Sequence, residues 1–263
     1  MKKIILFGIF VVSCGSVFAN DINQASESNI YKSFQQFDRQ YNVGIGATSG
    51  QVYNGSTGGL YSNEFLSMEV ERLFDVGVWM DVSAYLNTYY TQPDDPAVIE
   101  VGMTTGSQAQ FGGINAKVGY AFPLIKNTLL ITPYMLVGRN VNLSSYTLSS
   151  APSTANLTQD YFWTIGGGGR LEYRIDDTYD IYLDQSAAYN ASQAPTTQGF
   201  AANNNYQYTT TLGAKFNVYK KLQLGAQTFY TNSYYTNSLT TINGQSYVPT
   251  NSFGGMATIG LTY

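Results

Sequence analysis

Between residues 40 and 263 the chain divides into ten segments in which apolar side chains alternate with small or polar ones, at 40–49, 62–73, 76–90, 109–122, 128–141, 160–175, 179–190, 205–219, 222–233 and 252–263. The connections alternate as regularly as the side chains do. Those after the second, fourth, sixth and eighth segments are short: Phe74-Asp75, Pro123 to Asn127, Asp176 to Thr178, and Lys220-Lys221. Those after the odd segments are long and polar, at 50–61, 91–108, 142–159, 191–204 and 234–251. Segments of about ten alternating residues joined by short turns on one side and longer loops on the other are the pattern of a barrel that crosses a membrane. The chain is therefore expected to be all-β, a transmembrane antiparallel up-and-down β-barrel of ten strands, with eight as the alternative count. An even number leaves both ends of the barrel chain on the short-turn side.

The two faces of the strands can be assigned from this alternation. In the third segment Val78, Met80, Val82, Ala84 and Leu86 face outward, opposite Trp79, Asp81, Ser83, Tyr85 and Asn87. The fourth sets Ile114, Ala116, Val118, Tyr120 and Phe122 against Asn115, Lys117 and Gly119, and the eighth sets Leu212, Ala214, Phe216 and Val218 against Thr211, Lys215 and Asn217. A slip of one residue would place Asp81 or Lys117 in hydrocarbon, at a cost of about 2–4 kcal/mol near the midplane. The seventh carries Gln185 in line with Ile181 and Leu183. The fifth is apolar on both faces around Pro133, and an orientation with Tyr134 and Leu136 outward keeps Arg139 in the lumen.

The amino-terminal residues agree with export. Met1-Lys-Lys, the apolar run Ile4 to Val12 and then Val17-Phe18-Ala19 follow the charged, hydrophobic, small-residue order of a signal peptide, expected at 1–19. Lipid attachment at Cys14 is the competing reading of the same stretch. Residues 20–39 form a short periplasmic segment in which Ile30, Phe34 and Phe37 fall at helical spacing, either as a frayed leader or as a helix at the barrel mouth or in the lumen. Beyond the leader no run of about 18 apolar residues occurs, so no helix can span a bilayer. A closed barrel is then the form that satisfies every backbone group in lipid. Removing Lys2 and Lys3 from the 13 basic residues leaves 11 against 17 acidic ones, which excludes nucleic acid as a partner on electrostatic grounds.

The stretch Thr164-Ile-Gly-Gly-Gly-Gly-Arg-Leu-Glu-Tyr-Arg-Ile-Asp-Asp177, followed by Tyr179-Asp-Ile-Tyr-Leu183, joins a glycine-rich strand to a returning strand through an acidic turn. Together with a last strand that ends on an aromatic, it resembles the small OmpA/OmpX-like outer-membrane β-barrel proteins. The resemblance implies an assembly signal at Phe253, Ile259, Leu261 and Tyr263, read by the barrel-assembly machinery, and a monomer in the outer membrane in contact with lipid and lipopolysaccharide. Relatives of this kind have eight strands, whereas ten are counted here.

Strand parity also gathers charge. Glu69, Glu71, Asp81, Lys117, Arg139, Arg170, Glu172, Arg174, Asp184 and Lys215 are expected to face a common interior as a lumen charge network. The interior of a small barrel is just wide enough for side chains to fill, so such groups are expected to pair with one another. A narrow pore for small solutes or ions is the alternative. No catalytic site, cofactor or metal site is expected. The chain has no histidine to act as a general base near neutrality, and no acidic loop has calcium-binding spacing. Asp94-Asp95 and Asp176-Asp177 fit solvated turns, and the Gly166 to Gly169 run lacks the Lys-Ser/Thr of a phosphate cradle. Tyr89-Tyr90, Tyr161 to Trp163, Tyr189, Tyr206, Tyr208, Tyr230 and Tyr234-Tyr235 fit an interfacial girdle near the long loops. The protein is expected to be non-enzymatic, a structural or surface-interaction barrel whose external loops contact an unknown surface ligand.

Overall fold

The computed structural model describes residues 24–54, 57–91, 110–142, 160–192, 205–219, 221–235 and 247–263. The expected leader, Cys14, Asp94-Asp95 and most of the long connections lie outside these residues. A helix, α1 (Gln24–Gln35), precedes strands β1 (Arg39–Asn54), β2 (Thr57–Leu73), β3 (Val78–Thr91), β4 (Gln110–Tyr120), β5 (Phe122–Ile125), β6 (Leu129–Asn142), β7 (Asp160–Arg174), β8 (Tyr179–Ser192), β9 (Asn205–Tyr219), β10 (Leu222–Tyr235) and β11 (Tyr247–Thr262). Strands β4 and β5 are one barrel strand interrupted at Ala121, whose N–H bonds the Gly77 carbonyl at 2.8 Å. Every strand pairs antiparallel with its neighbour, and β1 with β11 closes the ring. The barrel therefore has ten strands, and the eight-strand count is set aside.

Closure follows the register that the last strand requires. Tyr41 lies opposite Leu261, Ile45 opposite Ala257 and Thr48 opposite Gly254. This pairing leaves Phe253, Ile259, Leu261 and Tyr263 all on the outer face, and the Tyr263 ring packs on Tyr41 with centroids 4.6 Å apart. Without β11 the backbone groups along one edge of β1 would have no partner in lipid.

Three expectations from the sequence are corrected. Residues 50–61 are mostly strand, since β1 and β2 stay paired out to Asn54 opposite Thr57, and β11 likewise begins at Tyr247 rather than 252. Apolar alternation stops where the outer face leaves hydrocarbon, but backbone pairing continues past that point. The turn after the fourth barrel strand lies later than expected, at Lys126 to Thr128, with Asn127 at a φ of 61°. Pro123 sits at a register irregularity next to it, a position where its missing N–H is tolerated.

The third correction reverses the face of β6. Leu130, Thr132 and Tyr134 are buried, whereas Ile131, Met135 and Val137 point outward, and Leu136 packs against the interior cluster. Arg139 thus shares the parity of the outward residues, its guanidinium 5.1 Å over the ring of the exposed Trp163. Tyr134 finds a carboxylate partner inside the barrel, and Arg139 is accommodated against the Trp163 ring.

The exterior is inverted relative to a soluble protein. Val43, Ile45, Met68, Val118, Met135, Ile165 and Leu212 are all exposed along mid-strand positions, while glutamate, aspartate, arginine and lysine are buried inside. Two belts of exposed aromatics flank this apolar band. Trp163, Tyr208, Tyr230 and Phe253 lie toward the long-loop end, and Tyr41, Tyr120, Tyr173, Tyr179, Tyr219 and Tyr263 toward the short-turn end. Paired aromatic belts around an apolar band are the surface of a membrane-spanning barrel.

Helix α1 lies across the short-turn end. Tyr31 and Phe34 join Leu73, Trp79, Ala121, Leu130 and Tyr134 in one buried cluster, and Phe37 is wholly buried as well. The Tyr31 hydroxyl donates to the Ala121 carbonyl at 2.9 Å. The turn that receives this ring needs glycine at its last position. Gly77 has a φ of +84°, and a Cβ added there would sit 2.7 Å from the Tyr31 hydroxyl. Gly77→Ala should therefore lower barrel stability by about 1–3 kcal/mol through strain and displacement of Tyr31. Denaturant unfolding followed by the mobility shift between folded and unfolded barrel would measure it, and an unchanged midpoint would contradict the account.

Candidate functional site in the barrel lumen

The inner wall carries its charges where neighbouring strands bring them opposite one another. Register places Glu71 of β2 beside Asp81 of β3, Asp81 beside Lys117 of β4, Arg170 of β7 beside Asp184 of β8, and Asp180 of β8 beside Lys215 of β9. Side chains then reach across the lumen to build two groups.

The lower group, next to α1, centres on Glu71. Its Oε1 accepts from Arg170 at 2.8 Å and from the Trp79 indole at 3.0 Å. Its Oε2 accepts from Lys215 at 2.6 Å and from Gln40 at 2.8 Å. Lys215 also donates to Asp38 at 2.5 Å and to the Phe37 carbonyl at 3.2 Å, which ties the end of α1 to the opposite wall. Arg170 lies 3.2 Å from Glu172 and 3.7 Å from Asp38, with its guanidinium 4.0 Å from the Tyr182 ring centroid. All five ionic side chains are nearly inaccessible to solvent. Buried charges are tolerated only when opposite charges and donors surround them, and removing one partner is strongly destabilising.

The upper group links Lys117 to Asp184 at 3.0 Å and to Asp81 at 3.6 Å, and Tyr134 donates a hydrogen bond to Asp184. Tyr134 reaches that carboxylate over Gly168, where a Cβ would lie 2.5 Å from its hydroxyl. Gly168 is thus needed for close packing inside the barrel, whereas a Cβ at Gly169 would meet nothing within 4 Å. Farther toward the long-loop end, side-chain hydrogen bonds run around the wall from Asn140 to Thr164, from Thr164 to Asn190 and from Asn190 to Gln207, each 2.8 Å. Between this rim and the ionic groups lies a cavity of about 390 Å³.

Of the residues the sequence assigns to the interior, Glu71, Arg170, Glu172 and Lys215 meet in the lower group, and Asp81, Lys117 and Asp184 in the upper. Glu69 lines the cavity. Arg174 stands apart, donating to the Asn127 carbonyl at 3.0 Å and pairing with Asp177 at the turn. Arg139 stacks on Trp163 at the outer face, as described above. The sequence reading missed Asp38 and Asp180, both inaccessible, because one precedes the first strand and the other stands beside a turn. Their signal was parity, since Asp180 shares the inward set with Asp184. The Asp176-Asp177 pair is a turn device: Asp176 accepts from the Thr178 and Tyr179 amides at 2.7 and 2.9 Å. Among the described residues no group of three or more acidic, His or Cys side chains is arranged to hold a metal ion.

At the mouth, Asp75 accepts from Gln35 at 2.6 Å and from Arg39 at 3.0 Å. The Gln35 hydrogen bond and the nearby Arg39 hold its carboxyl below the ordinary value. A depressed acid stabilises the docked helix above its unfolded-state pKa of about 3.9, and that contribution is lost as pH falls through the lower folded value. Wild type should protect the amides of residues 24–38 from hydrogen exchange better than Asp75→Asn does at pH 5 and above. The difference should begin to shrink at about pH 4 and vanish only once the pH has fallen below the depressed folded value. A difference that grew on acidification would reverse the assignment.

No family model and no curated protein sequence matches the chain. Solved structures that it resembles include the β domain of the Bordetella autotransporter BrkA, at 12% identity over 86% of this chain and 99% of that one with a TM-score of 0.48. The translocator domain of the autotransporter NalP from Neisseria meningitidis matches at 8% identity over 99% and 96%, TM-score 0.48. The outer membrane protease OmpT from Escherichia coli matches at 10% identity over 85% and 96%, TM-score 0.41. At these identities no residue role passes from those proteins to this one. The chain's own geometry, a closed antiparallel barrel with an apolar outer band between two aromatic belts, is that of a membrane-spanning β-barrel.

Proposed function

We propose that the protein is a non-enzymatic barrel of the bacterial outer membrane with an occluded lumen, holding its long connections at the cell surface as a contact surface. The observation that carries this reading is the buried Arg170–Glu71–Lys215–Asp38 set, which spans the lumen directly above α1. Ions that must cross such a layer would have to displace paired charges and the wholly buried Phe34 and Phe37. Lipid and lipopolysaccharide would meet the apolar band and its aromatic belts, and the assembly machinery would meet the outward residues of β11.

A second reading, a narrow gated porin, draws support from the cavity of about 390 Å³ that already reaches down to the ionic layer. Planar-bilayer recording separates the two. The purified full chain should give no stable conductance steps, and deletion of residues 24–37 should produce them by removing the apolar seal and freeing Lys215 from the Phe37 carbonyl. Stable steps from the full chain would overturn the occluded-lumen reading.

A further inference from the structure

The cavity above the ionic layer has an unbalanced wall. Three carboxylates, Glu69, Asp81 and Asp184, and two cations, Lys117 and Arg170, line it. Both cations are already paired, Arg170 with carboxylates off the cavity wall. Lys117 serves Asp184 and Asp81 Oδ2, and Arg170 serves Glu71 and Glu172. Glu69 forms no ion pair among the described residues, and Asp81 Oδ1 is buried without a hydrogen-bond donor, on a side chain only 7% exposed. Glu69 stands opposite Ser83, so its neighbour two residues along β3 on the same face is Asp81. Side chains on such diagonal cross-strand positions are within reach of a common partner.

A metal ion does not suit this wall, because no three acidic groups converge among the described residues. An ammonium group does. It has three donors, tolerates irregular geometry and is attracted to aromatic faces. The Phe65, Tyr85 and Phe229 rings stand near one another on the cavity wall, with Phe65 centroids 6.4 and 6.3 Å from the other two. Thr209 and Thr211 add hydroxyls. The volume falls within the range that accommodates small organic ligands.

We propose that this cavity is a binding site for a small organic amine, with its ammonium group held between Glu69 and Asp81 and its body against the Phe65, Tyr85 and Phe229 rings. Occupancy does not depend on whether the barrel conducts, so this proposal and the occluded-lumen reading can fail separately.

Calorimetric titration of the detergent-solubilised full chain tests it with glucosamine and spermidine as probes and glucose as the uncharged match to glucosamine. Saturable heat is expected from at least one amine and none from glucose. Glu69→Gln should weaken amine binding by about tenfold or more, the value of one charge-assisted hydrogen bond. Asp81→Asn should do the same, and the mobility shift of both variants reports whether the barrel has folded. Since Glu69 takes no part in the ion pairs, its variant keeps the test decisive if Asp81→Asn folds poorly. No saturable heat from either amine, equal heat from glucose, or an unchanged affinity in Glu69→Gln overturns the proposal.

Discussion

Replacing Arg170 with methionine should destabilise the barrel by about 3–5 kcal/mol, the cost of leaving buried partners uncompensated. The guanidinium contacts Glu71, Glu172 and Asp38 at 2.8, 3.2 and 3.7 Å and stacks on Tyr182. Methionine fills similar volume but supplies no charge. Lys215 would remain for Glu71 and Asp38, at 2.6 and 2.5 Å, whereas Glu172 would lose its only ion-pair partner among the described residues. Arg170→Lys should fall between the two, since an ammonium keeps the charge but cannot serve Glu71 and Glu172 through a planar fork. The pair Arg170→Met with Glu71→Gln should lose less than the sum of the single changes, because each removes the partner that makes the other costly. Denaturant midpoints of the folded-to-unfolded mobility shift provide the measurement. An Arg170→Met midpoint equal to that of wild type would mean that these charges are neutralised in some other way.

What the sequence displays of this site follows from what each kind of signal can carry. Alternation with period two fixes which face a strand residue occupies, so Glu71, Asp81, Lys117, Arg170 and Lys215 could be placed inside from their neighbours alone. It says nothing about which of them meet. Arg170 and Glu71 are 99 residues apart and Lys215 and Glu71 are 144 apart, and their contacts exist only because closure of the ring brings β2, β7 and β9 around a common axis. Where both faces are apolar the signal fails, as in β6. There the single charge of Arg139 outweighed the aromatic ring of Tyr134 in setting the orientation, and the partner that decides the matter, Asp184, lies on another strand. Strand ends are poorly marked for a related reason. Beyond the apolar band, Gln51 and Asn251 remain paired through their backbones although their side chains show no alternation. The role of α1 was visible as the spacing of Ile30, Phe34 and Phe37, but three apolar residues cannot say whether a surface exists to receive them.

That surface supports the second large expectation. Phe34→Ala should release α1 while leaving the barrel folded. Phe34 has no solvent exposure and sits among Tyr31, Leu73, Trp79 and Tyr134, so truncation removes about 3–5 kcal/mol of packing. What remains to hold the helix includes the buried Tyr31 and Phe37 rings, the Tyr31 hydroxyl on Ala121, the Ser33 hydroxyl on Asn127, the Gln35 contact to Asp75 and the Lys215 contacts to Phe37 and Asp38. Polar contacts of this kind contribute about 0.5–3 kcal/mol each, and a helix of 12 residues is marginal by itself in water. The ladder that closes the barrel involves none of these residues. The loss should therefore appear as local opening, with amides of residues 24–38 exchanging fast while those of β1 to β11 keep their protection. Release of α1 also withdraws Asp38 from Lys215 and Arg170, so the same variant should show conductance that wild type lacks. Faster exchange without any current would show that the Arg170–Glu71–Lys215 layer blocks the lumen unaided, and unchanged exchange would show that Phe34 does not anchor the helix.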